Sequence, residues 1–124
     1  MKKILVIDDD ATIRFLLQAI LKDYEVFVMS EGMEALDWLN AGGVPDLIIL
    51  DMEMPNINGQ ELIRRIKFSS KHRHVPIMVM SGSDSKAQRN KFMKLGAVDY
   101  IVKPFLGPDF IERIKIALLE SSVG

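Results

Sequence analysis

Short continuous apolar runs alternate along this chain with longer stretches in which apolar residues recur every three or four positions. The runs at 3–8, 25–29, 46–51, 76–80 and 98–102 are rich in Val, Ile and Leu and lack a polar alternation. Strands buried on both faces, as in a parallel sheet, have this pattern. Between them the spacing predicts helices over 11–22, 32–41, 59–68 and 84–95, with a last helix opened by Pro108. Their inward positions are Ile13, Leu16, Leu17, Ile20 and Leu21; Ala35, Leu36 and Leu39; Leu62, Ile63 and Ile66; and Phe110, Ile111, Ile114, Ala117 and Leu118. Residues 52–58 hold Pro55 and two asparagines and read as a loop. Five strands alternating with five helices predict an α/β fold around a parallel sheet.

The length of 124 residues suits one domain with one core, and no linker, repeat or low-complexity tract interrupts it. No apolar run approaches the ~20 residues of a membrane span. The first eight residues do not form a signal peptide. Without cysteine there is no disulfide, no thiolate zinc site and no thiol nucleophile. A cytoplasmic location is the default expectation.

The formal net charge of −1 conceals a division. Residues 1–63 carry 4 basic and 12 acidic side chains (−8), whereas residues 64–124 carry 12 basic and 5 acidic (+7). Nine Lys and Arg but only Asp84 among the acids fall in 64–94. Read first as a solvated helix surface, this stretch reads second as a docking face for an acidic partner. Direct nucleic-acid binding ranks last, because no helix-turn-helix or aromatic platform accompanies the charge.

In open α/β sheets ligands bind beyond the carboxyl ends of the strands. The first strand ends in Asp8-Asp9-Asp10, the third in Asp51, the fourth in Ser81 and the fifth in Lys103-Pro104. Taken singly, Asp9 or Asp10 reads as a helix cap, Ser81 as turn chemistry and Lys103 as a solvated lysine. Their convergence on one sheet edge is what those readings leave unexplained. Clustered carboxylates repel by roughly 4 kcal/mol per pair at 4 Å and an effective dielectric near 20, so they call for a counter-charge. Lys103 offers one, and an all-oxygen site suits Mg²⁺ or Mn²⁺. A carboxylate beside such a cation, a lysine and a hydroxyl is a phosphoryl acceptor by its chemistry.

These motifs resemble the receiver domain of two-component response regulators, the chemotaxis-type doubly wound fold, over the whole chain. Asp8-Asp9 resemble the family's acidic pair and the 51–59 segment, with Met54-Pro55 and Gly59, its phosphoacceptor segment. Ser81-Gly82 resembles its hydroxyl-plus-small pair, and Tyr100 followed by Lys103-Pro104-Phe105 its switch aromatic and Lys-Pro pair. The resemblance implies a single flavodoxin-like (βα)5 domain over 1–124, strand order 2-1-3-4-5, with no output domain. It implies that Asp51 is phosphorylated by a histidine kinase or His phosphotransfer protein. Mg²⁺ would bind to Asp9, Asp51 and the Glu53 backbone carbonyl, and to Asp8 mostly through water. Lys103 would pair with Asp51 and then with the phosphoryl oxygens. Ser81 would move to that group while Tyr100 swings inward, and the bond before Pro104 would be cis. The output face would be the fourth helix, fifth strand and fifth helix, including 86–94, Asp99, Tyr100 and Arg113, with a homodimer through it as one outcome. Glu53 and Ser83 would tune phosphate lifetime.

The alternatives are a small phosphohydrolase with an Asp nucleophile, a flavodoxin-like cofactor binder, and a receiver-like domain that works without phosphorylation. The first needs room for a substrate cap. The second needs Gly, Ser or Thr donors where Asp8-Asp9-Asp10 stands. Elsewhere, Met29, Met78 and Met80 read as core, as do Met33 and Met93. Trp38 reads as a partly buried packing residue, and His72 and His74 as a solvated loop.

Overall fold

The apolar runs become five parallel strands: β1 (Lys3–Ile7), β2 (Glu25–Met29), β3 (Leu47–Asp51), β4 (Ile77–Ser81) and β5 (Asp99–Val102). Between and after them come α1 (Ala11–Ile20), α2 (Gly32–Asn40), α3 (Gly59–Phe68), α4 (Lys86–Leu95) and α5 (Pro108–Val123). The computed structural model describes residues 1–54, 56–104 and 107–123, with side chains up to Leu119. The sheet order is β2-β1-β3-β4-β5, as the resemblance implies.

Successive strand residues point to opposite faces, and each face has its own core. Leu5, Ile7, Ile48, Leu50, Ile77, Val79 and Tyr100 pack against Ala35 and Leu39 of α2, Leu62, Ile63 and Ile66 of α3, and Phe92 of α4. Ile4, Val6, Leu47, Ile49, Met78, Met80 and Ile101 pack against Leu17 of α1, Leu21, and Phe110, Ile114, Ala117 and Leu118 of α5. Burial of each such side chain contributes about 1.5–3 kcal/mol, which is why unbroken apolar strands are stable only between two helical layers.

Local chemistry sets the helix ends. Asp10 caps α1 through Oδ1, which accepts from Thr12 N (2.8 Å) and Ile13 N (3.4 Å). The left-handed Gly96 (φ 111°) ends α4. The expected start of α4 at residue 84 needs correction. Serine hydroxyls compete for the amides there: Ser83 Oγ accepts from Ser85 N, and Ser85 Oγ caps Gln88 N. The helix therefore begins at Lys86.

Three other expectations are corrected. Met33 (40% exposed) and Met93 (42%) lie at the surface, because α2 and α4 turn other residues inward. His72 is buried, not solvated: Nε2 meets the Gly43 carbonyl at 2.9 Å and Nδ1 meets Ser69 Oγ at 3.0 Å. The ring thereby joins the α2–β3 loop to the turn after α3. His74 is exposed as expected, and Trp38 is half-buried against Phe27, with ring centroids 4.9 Å apart.

Candidate functional site: an acidic pocket at the sheet edge

The strand order reverses between β1 and β3, which lie side by side with Ile7 opposite Leu50. The next residue on each is Asp8 and Asp51, so the topology alone places two carboxylates at the crevice where such sheets bind ligands. Both are buried, and Asp9 beside them is exposed. One carboxylate oxygen from each of Asp8, Asp9 and Asp51 lies within 4.8 Å of the others.

Lys103, following β5, reaches into this cluster. Its Nζ is 3.3 Å from Asp8 Oδ2 and 3.4 Å from Asp51 Oδ1. The bond between Lys103 and Pro104 is cis. Asp8 is further held by the Asp10 N–H on Oδ1 (2.9 Å), and its carbonyl accepts from Arg14 Nη1 (2.7 Å). Asp51 Oδ1 also accepts from the Glu53 N–H at 3.4 Å. Asp9 makes no hydrogen bond or ion pair with a described residue.

The electrostatics follow from this crowding. Burial, then the neighbouring Asp8 charge, pushes the Asp51 carboxyl from 3.8 up to about 6, against the pull of Lys103 and the Glu53 N–H. Burial disfavours the Lys103 ammonium, but Asp51 and Asp8 outweigh it and raise its pKa. One ammonium therefore leaves three carboxylates under-compensated. An all-oxygen cluster of this kind fits a hard divalent cation.

The loop carrying this chemistry is tightly seated. Gly59 N donates to the Met52 carbonyl (3.1 Å). A Cβ on Gly59 would stand 3.0 Å from Met52 Cα and 3.0 Å from Leu50 Cδ1. Asn56 takes the left-handed conformation (φ 69°) and hydrogen-bonds Glu31. Pro55 and Phe105, both quoted for the resemblance, lie outside the described residues.

Ser81 ends β4 and is buried, as is Tyr100 on β5. Ser81 Oγ accepts from Ser83 N (3.0 Å), and the Tyr100 hydroxyl donates to the Ser83 carbonyl (2.9 Å). One residue thus touches both side chains. Tyr100 already lies inward, packed near Phe92 with centroids 6.3 Å apart. Of the five residues that sequence reasoning brought together, the fold clusters the side chains of Asp8, Asp9, Asp51 and Lys103, while Ser81 meets Lys103 through its carbonyl, which accepts from Lys103 N (2.8 Å). Sequence reasoning missed Arg14, whose bond to the Asp8 carbonyl has no signature beyond its place one turn into α1.

A family model described as the response regulator receiver domain matches residues 4–115. The chain is 36% identical over 122 residues to the response regulator MprA of Mycobacterium sp. (strain KMS), covering 97% of this chain and 52% of that protein. It is 32% identical over 119 residues to the chemotaxis protein CheY1 of Helicobacter pylori, covering 94% and 96%. It is also 31% identical over 113 residues to the sensor histidine kinase TmoS of Ectopseudomonas mendocina, covering 90% of this chain and 12% of that one. The chain therefore spans about half of MprA and a small part of TmoS. Among solved structures, CheY4 of Vibrio cholerae superposes with a TM-score of 0.87 at 28% identity, covering 94% of this chain and 98% of that chain. The response regulator TrrA of Thermotoga maritima, solved with Mg²⁺ and BeF, gives 0.80 at 34% identity, covering 94% and 99%. These relatives support a receiver domain and lend nothing to the phosphohydrolase reading. The chain belongs to the response regulator receiver domain family, the phosphorylation-activated switch of two-component signalling.

Proposed function

We propose that Asp51 is the phosphoacceptor, with Mg²⁺ held in the pocket beside it and Mn²⁺ as a substitute. The observation that carries this reading is the placement of Asp51 between a cluster of carboxylates and the Lys103 ammonium. Asp9 and Asp51, with the Glu53 backbone carbonyl, hold the ion. Asp8, which accepts from Asp10 N–H and Lys103, acts mostly through water, as the resemblance implies. A bound divalent ion supplies positive charge against the transferring phosphoryl oxygens.

The donor is a phosphohistidine of a histidine kinase or a His phosphotransfer protein; the match to a sensor histidine kinase supports that class. An Asp51 carboxylate oxygen forms the new O–P bond as the donor's P–N bond breaks, and the leaving imidazole nitrogen takes a proton from water. Lys103 then passes from the Asp51 carboxylate to the phosphoryl oxygens, and Ser81 Oγ hydrogen-bonds one of them. The chain works as a switch, not a turnover enzyme, apart from self-phosphorylation from a donor and self-dephosphorylation. Phosphorylation biases Ser81 and Tyr100, and with them a downstream protein surface formed by α4, β5 and α5, through which a homodimer is one output.

The test is labelling by acetyl phosphate or phosphoramidate, followed by intact mass. One adduct of about 80 Da is expected with Mg²⁺ and none with a chelator. Labelling that ignores the chelator contradicts the reading.

A further inference from the structure

Tyr100 is gripped by more than the Ser83 carbonyl. The Arg89 guanidinium of α4 lies 5.2 Å from the centre of its ring, within the range of a cation–π contact. Arg89 Nη1 also donates to the Tyr100 carbonyl (3.3 Å), and Arg113 Nη2 from α5 donates to that same oxygen (3.0 Å). The Tyr100 N–H donates to Asp99 Oδ1 (2.8 Å). β5 is an edge strand, so these side chains cap the outward amide of the residue and leave it no free group for strand addition.

The two arginines do different work. Arg113 is forked onto Asp99 through Nε (2.8 Å) and Nη2 and touches Tyr100 only at the carbonyl. Arg89 touches both the ring and the carbonyl, and its own anchor, Asp84 at 3.6 Å, is a highly exposed carboxylate. The same guanidinium thus fixes the side chain and the main chain of one residue from the neighbouring helix.

We propose that Arg89 is a positioning residue of the switch: it holds the Tyr100 ring inward and ties α4 to β5 through that ring. The inference deepens the reading of Tyr100 as a switch residue and rests on it for its functional meaning. Tyr100 can then leave the interior only when its ring slides off the Arg89 guanidinium and its hydroxyl gives up the Ser83 carbonyl. A ligand or partner that draws Arg89 away lowers the first of these barriers.

The chain has two tyrosines, Tyr24 and Tyr100, so 3-fluorotyrosine labelling gives two ¹⁹F resonances, with Tyr100 assigned by its loss in Y100F. The solvent isotope shift of each reports exposure of the ring. In R89Q and R89A the outward population of Tyr100 is expected to rise about two- to five-fold, the range a surface cation–π contact supplies. Tyr24 should not change, and R89K should restore part of the effect. Arg89 has a 41% exposed side chain, so either variant carries the test if the other does not fold. A Tyr100 resonance and isotope shift equal to wild type in R89Q or R89A overturns the proposal, even if the variant is less stable. Beryllofluoride added to R89Q separates the two readings. In that variant, where the outward population is raised, it should draw Tyr100 back inward; if it leaves that population unchanged, the clamp stands and the switching role fails.

Discussion

Lys103 Nζ stands 3.4 Å from Asp51 Oδ1, and the same ammonium lies 3.3 Å from Asp8 Oδ2. One cation therefore serves two buried carboxylates, with Asp9 close by. The pocket is arranged to take further positive charge, and the consequences can be measured.

The first consequence is a stability cost at Asp51. Its carboxyl is raised from 3.8 to about 6, so between those values the folded state binds a proton that the unfolded state has released. The stability of the neutral form is fully present below pH about 4 and is lost as pH rises through about 6. Asp51→Asn lacks this loss. In a chelator, its unfolding free energy should match wild type at pH 4 and exceed it by about 1–3 kcal/mol at pH 7, read from urea denaturation at the two pH values.

Divalent cations compete with that proton. Magnesium affinity should therefore fall steadily as pH drops through about 6. At pH 7, Asp9→Asn removes a carboxylate with no described protein partner and should weaken binding by about tenfold or more. Titration calorimetry in the wild type and D9N checks both statements.

The site was legible because parallel strands are read as unbroken apolar runs, and the polar residue closing each run marks the sheet edge. Asp8, Asp51, Ser81 and Lys103 needed only that rule. His72 was not legible: its burial depends on the Gly43 carbonyl 29 residues away, and a histidine in a polar loop has no periodicity to betray it. Met33 and Met93 failed for a related reason, since an apolar residue at a helix margin packs or not according to the neighbouring helix. The Arg89–Tyr100 contact joins an outer helix to an edge strand, a pairing that no local pattern specifies.

His72 gives a control far from the pocket. His72→Ala removes both ring contacts of a buried side chain and leaves the half-buried Gly43 carbonyl without its His72 partner. The expected loss is about 2–3 kcal/mol in urea denaturation, with magnesium affinity unchanged. A change in metal binding would mean that the two ends of the sheet are coupled.

Gly59→Ala tests the seating of the loop after β3. Its Cβ would press on Met52 Cα at 3.0 Å, so backbone must move. The expected cost is about 1–3 kcal/mol, and magnesium affinity should fall with it, because Met52 lies between Asp51 and Glu53. Paired urea denaturation and calorimetry read both effects.

The most direct measurement is the location of the phosphoryl group. The protein is treated with a phosphodonor and Mg²⁺, the acyl phosphate is cut reductively with borohydride, and the digest is read by mass spectrometry. Conversion to homoserine at residue 51, absent from Asp51→Asn, is the predicted result. Homoserine at residue 8, 9 or 10 instead, or stoichiometric labelling that persists in Asp51→Asn, would contradict it.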